Sequence, residues 1–225
     1  MAAVPAAGSE SPIIYKTRPT THNNNQYRRD MKKRKSLIAV IAVIVLLVLW
    51  CAAKYNGLVT RDEQVTTAWG NVQAQYQRRA DLIPNLVNTV KGYATHEKQT
   101  LEEVVAARAK ATQITVDADN LTPEKLQAYN KAQGDVTQAL GKLLAITENY
   151  PQLKANENFS ELQAQLEGTE NRINESRREY NDAVQQYNLS ARRFPGNIVA
   201  ALFGFQSKAK FEAEQGAEKA PEVKF

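Results

Sequence analysis

The sequence predicts an all-α protein in which a single N-terminal transmembrane helix is followed by a long antiparallel helical bundle of the four-helix up-and-down type. Three observations carry this prediction. The chain has an uninterrupted apolar run over 37–53, and its later apolar residues recur at three- and four-residue spacing over several heptads. Only 10 glycines and 8 prolines occur among 225 residues, so few positions interrupt a helix. We therefore expect helices packed side by side with coiled-coil-like seams.

The first element is a basic tail, residues 1–35, which we expect to be disordered because its small and polar residues show no apolar period. Residues 1–53 contain 8 Lys/Arg and 2 Asp/Glu, a net charge of +6. The whole chain has 29 and 24, so residues 54–225 contain 21 bases and 22 acids, a net charge of −1. A nucleic-acid-binding protein carries its positive charge on its folded surface, so this distribution argues against a nucleic-acid partner.

The second element, residues 36–54, is predicted to cross a lipid bilayer. The 17 residues over 37–53 are all apolar and would span about 25 Å as a helix, close to the ~30 Å of a hydrocarbon core. Trp50 and Tyr55 fall near the end of the run, where aromatic rings favour the membrane interface. A buried core helix and a cleaved signal peptide fit less well. Basic residues directly precede the run, and no small-x-small cleavage site follows it.

The flanking charges predict an orientation and a start site. Six Lys/Arg lie over 28–35, whereas only Lys54 and Arg61 follow the run within twenty residues. The positive-inside rule then places the N-terminus in the cytoplasm and the bundle on the outer side of the membrane. Met31 directly precedes this basic cluster, so we also predict that Met31 is the working start and that residues 1–30 are an upstream extension.

The third element, residues 55–194, is predicted to form the bundle. Thr122 is expected to cap a helix that begins at Pro123. The pair Tyr150-Pro151 is expected to end that helix, because a residue before proline avoids helical angles. The last long helix is expected to begin near Asn156.

The stretch around Pro84 allows two interpretations. Asp81 could cap a new helix with Pro84 in its first turn, or one long helix could kink at the proline. Further along, Gly92 is expected inside a helix, where its destabilising effect of about 1 kcal/mol would be explained by close contact with a neighbouring helix.

The fourth element, residues 195–211, is apolar but too short to span a bilayer. It is predicted either to form a short helix that covers the end of the bundle or to contact a membrane surface or a partner protein. The candidate contact residues are Ile198, Leu202, Phe203 and Phe205. Residues 212–225 are polar and are expected to form a disordered tail.

A combination of apolar spacing, one proline and close-set charges extends from Tyr55 to Arg108 and resembles the LemA family. The residues that carry the resemblance are Arg78-Arg79-Ala80-Asp81-Leu82-Ile83-Pro84-Asn85-Leu86-Val87, Lys91-Gly92-Tyr93 and His96-Glu97, with Tyr55-Asn56, Leu58-Val59, Val65, Ala68-Trp69, Val72 and Gln75 before them and Leu101-Glu102, Val104 and Ala107-Arg108 after them. The resemblance implies four helices and a bacterial inner-membrane protein. It leaves open the opposite orientation, with the short N-terminus outside.

The charged part of this motif is a second candidate site, either as a structural network or as a partner-binding face. Its candidate residues are Arg78, Arg79, Asp81, Asn85, Lys91, His96 and Glu97. A zinc site of the metalloprotease type would need a second histidine four residues after His96, but position 100 is threonine. The sequence contains no Gly-rich phosphate loop, and Cys51 lies in the apolar run. We therefore expect no metal, no cofactor and no enzymatic activity.

These observations predict a membrane-anchored, non-enzymatic scaffold or adaptor that binds envelope proteins, with self-association possible along the seams. The resemblance also implies a link to membrane-protein quality control, because genes of the family often neighbour those of membrane proteases. The alternative is a membrane-shaping protein that oligomerises on the bilayer through the bundle and residues 198–211.

Overall fold

The all-α fold class is confirmed by the structure of the protein, a computed structural model that describes residues 23–118 and 121–212. Within these two ranges no strand occurs. The helices are α1 (Asn23–Lys91), α2 (Lys98–Gln113), α3 (Pro123–Thr147), α4 (Pro151–Lys154), α5 (Glu157–Arg192) and α6 (Gly196–Phe203). The four-helix up-and-down arrangement stays a prediction.

The chain divides into two compact units, residues 1–50 and 51–225. In the first unit, residues 23–35 are helical, which differs from the disorder expected for the tail 1–35, and residues 1–22 lie outside the described part. The apolar residues over 37–49 are solvent-exposed along the helix. This helix is long and apolar enough to cross a membrane, with a mean hydropathy of 3.0 in an 18-residue window.

In the second unit the helix starts follow the predicted caps. The side chain of Thr122 accepts a hydrogen bond from the Lys125 N–H, and Pro123 occupies the first turn of α3. The side chain of Asn156 accepts from the Phe159 N–H and caps α5. Pro151 begins the short helix α4 rather than following the last turn of α3, which ends at Thr147. The capping residues therefore set these boundaries as expected.

The two interpretations of the Pro84 region are resolved in favour of one long helix. Pro84 lies inside α1, which continues to Lys91, and the reversal comes later, over 92–97. The prediction that Gly92 lies inside a helix is wrong, because the chain leaves helical geometry at this residue. An added Cβ at Gly92 would meet the Thr89 carbonyl oxygen at 3.4 Å, an atom of the preceding turn and not of a neighbouring helix.

The core of the second unit consists of three apolar clusters at successive levels of α1. The proximal cluster comprises Leu58, Ala191, Val199 and Ala200. The aromatic cluster includes Val65, Trp69, Val72, Tyr76, Leu126, Tyr129, Ile173, Tyr180, Val184, Tyr187 and Phe211. The distal cluster includes Ile83, Leu86, Val90, Leu101, Val104, Val136, Leu140, Leu143, Leu153, Phe159 and Leu166. Burying one such side chain contributes about 1.5–3 kcal/mol, so apolar burial is the main source of stability.

The predicted tail 212–225 lies outside the described residues except for Glu212, which is exposed. The segment 205–212, which we call the strap, is described and has no helical structure. It runs along α5 and brings Phe211 into the aromatic cluster.

Candidate functional site: an arginine layer and a C-terminal patch

Arg79 is the centre of a buried polar layer between the aromatic and distal clusters. Its Nη1 atom donates to Thr137 Oγ1 at 2.9 Å and to Glu170 Oε2 at 3.1 Å. Its Nη2 atom donates to the backbone oxygen of Gln133 at 3.1 Å and to Gln133 Oε1 at 2.7 Å. One guanidinium therefore joins α1 to both α3 and α5.

The positive charge of Arg79 is stabilised by several contacts, although its ion pair with Glu170 is not fully buried. Arg79 is only 2% exposed, whereas the Glu170 side chain is 43% exposed and remains partly hydrated. The guanidinium carbon also lies 5.1 Å from the centre of the Tyr76 ring, a favourable cation–π distance. Burial raises the pKa of Tyr76 above its ordinary value, and nearby Arg177 and Arg79 oppose that shift. The raised pKa keeps the phenol neutral, so Tyr76 adds no charge beside Arg79.

Pro84 leaves a backbone carbonyl of α1 without its usual hydrogen bond, and this carbonyl belongs to Ala80, the residue after Arg79. Because proline has no N–H, the carbonyl oxygen of Ala80 cannot receive the usual bond from four residues later. Arg108 of α2 supplies the missing donor, with its Nε atom 2.6 Å from the Ala80 oxygen. Ala80 is 9% exposed, so water has little access to satisfy this carbonyl. Arg108 thus explains how α1 accommodates an internal proline.

The other predicted motif residues lie apart from this layer. Arg78, Asp81, Asn85, Lys91 and His96 are exposed, and Glu97 is half-buried. Glu97 Oε1 accepts from the Tyr150 hydroxyl at 3.1 Å, across the reversal, and Asp81 accepts from Gln77 on its own helix. Among the described residues, no side-chain hydrogen bond joins one of the seven candidate residues to another.

At the opposite end of the second unit, α6 has one buried face and one exposed face. Val199 and Ala200 are 2% and 3% exposed and belong to the proximal cluster. The opposite residues, Ile198, Leu202 and Phe203, are 56%, 72% and 51% exposed. We call these three residues the α6 patch. Its apolar side chains are left in contact with solvent, so it stays a candidate contact surface.

The α6 patch is held in place by aromatic and backbone contacts. The Tyr55 ring lies 4.8 Å from the Phe203 ring and 5.7 Å from the Phe205 ring, measured between centroids. Phe205 is half-buried and so differs from the other predicted contact residues. At the start of α6, a Cβ added to Gly196 would overlap the carbonyl oxygen of Ser190, so only glycine allows this close approach.

The strap shows a set of contacts that the sequence reasoning missed. Asn188 binds both backbone groups of Lys208, its Nδ2 donating to the carbonyl oxygen and its Oδ1 accepting from the N–H, each at 2.9 Å. Asn181 binds Phe211 in the same way, at 3.0 and 2.8 Å. The available signal was the seven-residue spacing of Asn181 and Asn188, each of which directly follows a tyrosine of the apolar seam.

The side chains of the strap are also recognised. The Lys208 Nζ atom lies 2.5 Å from Asp62 Oδ1 and 5.5 Å from the centre of the Tyr187 ring. Burial, together with the charge of Asp62, raises the pKa of Tyr187 to about 12. The Phe211 ring lies 5.9 Å from Trp69 and 5.4 Å from Tyr180, with the Arg177 guanidinium 4.7 Å from its centre.

In the described ranges, no group of three or more His, Cys, Asp or Glu residues is placed to hold a metal ion. His96 is exposed, and Cys51 is half-buried against the proximal cluster. The buried cation, Arg79, already donates four hydrogen bonds within the fold.

Comparison of the sequence with known proteins identifies relatives of this chain. The sequence model of the LemA family matches residues 68–225. Magnetosome protein MamQ 2 of Paramagnetospirillum magneticum is 27% identical over 185 residues, covering 75% of this chain and 68% of the relative. Magnetosome protein MamQ of Magnetospirillum gryphiswaldense is 27% identical over 183 residues, covering 73% and 67%. Protein LemA of Metamycoplasma hominis is 25% identical over 160 residues, covering 71% and 69%.

Proposed function

This chain belongs to the LemA family, and we propose that it is a non-enzymatic scaffold or adaptor, anchored in a membrane by residues 36–54, that binds envelope proteins. The observation that carries the proposal is the α6 patch. Three neighbouring apolar side chains are each more than half exposed, although the same helix buries Val199 and Ala200 efficiently. An apolar surface of this kind is stabilised when a partner covers it.

The arginine layer supports a scaffold rather than an enzyme. A catalytic group must contact the substrate and offer it a proton, a nucleophile or a charge, so it cannot be fully engaged in hydrogen bonds within the fold. Arg79 instead joins three helices, and Arg108 satisfies a helix carbonyl. In this proposal the most distinctive residues of the motif hold the scaffold, and the patch does the binding.

We place the protein in the bacterial inner membrane with its N-terminus in the cytoplasm and residues 55–194 on the outer side. The support is the excess of Lys/Arg before the apolar run. We extend the proposal to partners in membrane-protein quality control, in line with the family resemblance. The names of the relatives refer to magnetosomes in two cases and only to LemA in the third, which suits a scaffold used in more than one setting.

The test is site-specific photocrosslinking in cells. A photoreactive amino acid replaces Leu202 in the patch, and the matched control carries it at Gln206, which is also exposed and four residues away. We expect Leu202 to crosslink to distinct envelope proteins, identified by mass spectrometry, and Gln206 to crosslink to them at least tenfold less. Equal yields from both positions, or no protein partner at Leu202, would contradict the adaptor.

A second candidate function is that of a membrane-shaping protein that lies on the bilayer through the same patch. The observation that favours it is the packing of Phe203 and Phe205 against Tyr55, a residue that follows the apolar run by only two positions. Interfacial aromatic residues commonly sit at this depth. The crosslinking experiment separates the two functions, because a membrane-shaping role requires lipid adducts at Leu202 and not at Gln206.

A further inference from the structure

The strap is bound to α5 in the way in which a protein binds a foreign peptide. Each asparagine amide offers one donor and one acceptor, the same pair that a neighbouring strand offers to a backbone amide. Asn188 and Asn181 each hold both backbone groups of one strap residue, Lys208 and Phe211. Such contacts do not depend on the side chain of the bound residue, so they would hold any extended peptide.

The spacing of the two asparagines matches an extended chain. Seven residues of α5 rise by about 10.5 Å, and the three residue steps from Lys208 to Phe211 cover about 10 Å when extended. The strap therefore runs antiparallel to α5 in a matching register. Asn174 lies another seven residues earlier on α5, in the wall of an open cleft of about 550 Å³ that adjoins Asn181 and Phe211. The row of asparagines thus continues past the last strap residue described.

Sequence selectivity comes from two pockets at the ends of this register. Asp62 and the Tyr187 ring receive Lys208, and Trp69 and Tyr180 receive Phe211. Of the two residues between them, Ala209 is half-buried and Lys210 is exposed. The surface accordingly recognises the pattern Lys-x-x-Phe in an extended segment.

The strap is also the part of the second unit that can open with the least disruption. Phe211 is its only fully buried side chain among the residues described. It follows Gly204, whose φ of 77° gives the chain a left-handed turn after α6. A segment with one buried anchor and exposed neighbours opens at a lower free energy than the helices around it.

We propose that the groove of Asn181 and Asn188 is an exchangeable peptide-binding site, and that its occupant from outside is the strap of a second copy of this chain. The same contacts form whether the strap comes from the same chain or from a neighbour, so the exchange requires no new interface. Anchoring in a shared membrane would favour it by raising the local concentration of straps. This proposal does not depend on the α6 patch.

The experiment mixes two complementary variants of the full chain in detergent micelles. The groove variant, Asn181→Ala with Asn188→Ala, keeps an intact strap, whereas the strap variant, Lys208→Ala with Phe211→Ala, keeps an intact groove. We expect each variant to be monomeric alone and the mixture to form a one-to-one complex, detected by native mass spectrometry. A mixture that stays monomeric, or a variant that associates equally well alone, would overturn the proposal.

A second measurement keeps the test decisive if the strap variant folds poorly. A fluorescent peptide with the sequence of residues 205–212 is titrated into the full chain carrying Lys208→Ala alone, in which the chain's own strap is weakened and can be displaced by the peptide. We expect this peptide to bind at least tenfold more tightly than a peptide in which the residues at positions 208 and 211 are exchanged. The difference in affinity should be lost when Asn181→Ala and Asn188→Ala are added to the protein. Equal affinity for the two peptides would rule out a selective groove.

Discussion

The arginine layer and the α6 patch use their residues in opposite ways. In the layer, the buried Arg79 and the half-buried Arg108 donate hydrogen bonds to three different helices, so these charged groups bind other parts of the fold. In the patch, apolar side chains are turned outward on a helix that already has a well-packed face. Each region places residues where their solvation is unfavourable unless something compensates. In the layer the compensation comes from the fold itself, whereas in the patch we propose that it comes from a partner.

We therefore expect the layer to determine the stability of the protein and the α6 patch to determine its binding. A buried charge that has lost its partners is strongly unfavourable, so the residues of the layer are tied to stability. An exposed apolar residue contributes little to folding, so the residues of the patch are free to serve binding. Substitutions should therefore affect the two regions through different measurements.

Replacing Arg79 with methionine should have the largest effect on stability. The change removes four hydrogen bonds of a charged group and leaves Gln133 and Thr137 without their donor. We expect the free energy of unfolding to fall by about 2–4 kcal/mol, measured by denaturant titration followed by circular dichroism. The control is the neighbouring exposed Arg78→Met, which should change stability by less than about 0.5 kcal/mol. Similar effects from both substitutions would show that the layer is not a structural centre.

Arg108→Ala should have an intermediate effect that depends on Pro84. With the proline present, the substitution leaves the Ala80 carbonyl oxygen without a donor, at a cost of about 1–3 kcal/mol. In a Pro84→Ala background, the new N–H can bond to Ala80 within the helix, so the cost of losing Arg108 should become much smaller. A double-mutant cycle on unfolding free energies measures this coupling. Additive effects would show that Arg108 does not compensate for the proline.

Leu202→Ser should have the smallest effect on stability, because its side chain is 72% exposed. We expect a change within about 0.5 kcal/mol, together with loss of partner crosslinks formed by a photoreactive amino acid placed at Ile198 of the same patch. Val199→Ser, on the buried face of the same helix, should instead destabilise the protein by about 1–3 kcal/mol. If Leu202→Ser were as destabilising as Val199→Ser, the patch would be part of the core and not a binding surface.

The sequence predicted the elements that depend on local chemistry. The cap at Thr122, the start of the last long helix near Asn156 and the all-α class follow from residue types at particular positions, and the structure confirms them. The charged motif was identified as a site, but its partners were not. Gln133, Thr137 and Glu170 are 54, 58 and 91 residues away from Arg79 in the sequence, and no local pattern links them.

The strap was missed because its signal is divided between two segments. Asn181 and Asn188 look like ordinary polar positions of a long helix, and the pattern of residues 195–211 predicts a short apolar helix or a contact surface. Only their contact in the structure shows that amides spaced by two helical turns match an extended backbone. In the same way, the donor required by the proline in α1 could be anticipated, but not that Arg108 would supply it.

The uninterrupted course of α1 through Pro84 also fixes a distance. From Cys51 to Lys91 there are 40 residue steps, and at ~1.5 Å per residue they amount to about 60 Å of helix. A reversal at Pro84 would have shortened this reach by about 10 Å. The loop over 92–97 and the α6 patch therefore lie near opposite ends of this length of helix. Two proteins of different height could occupy these positions at the same time without competing for space.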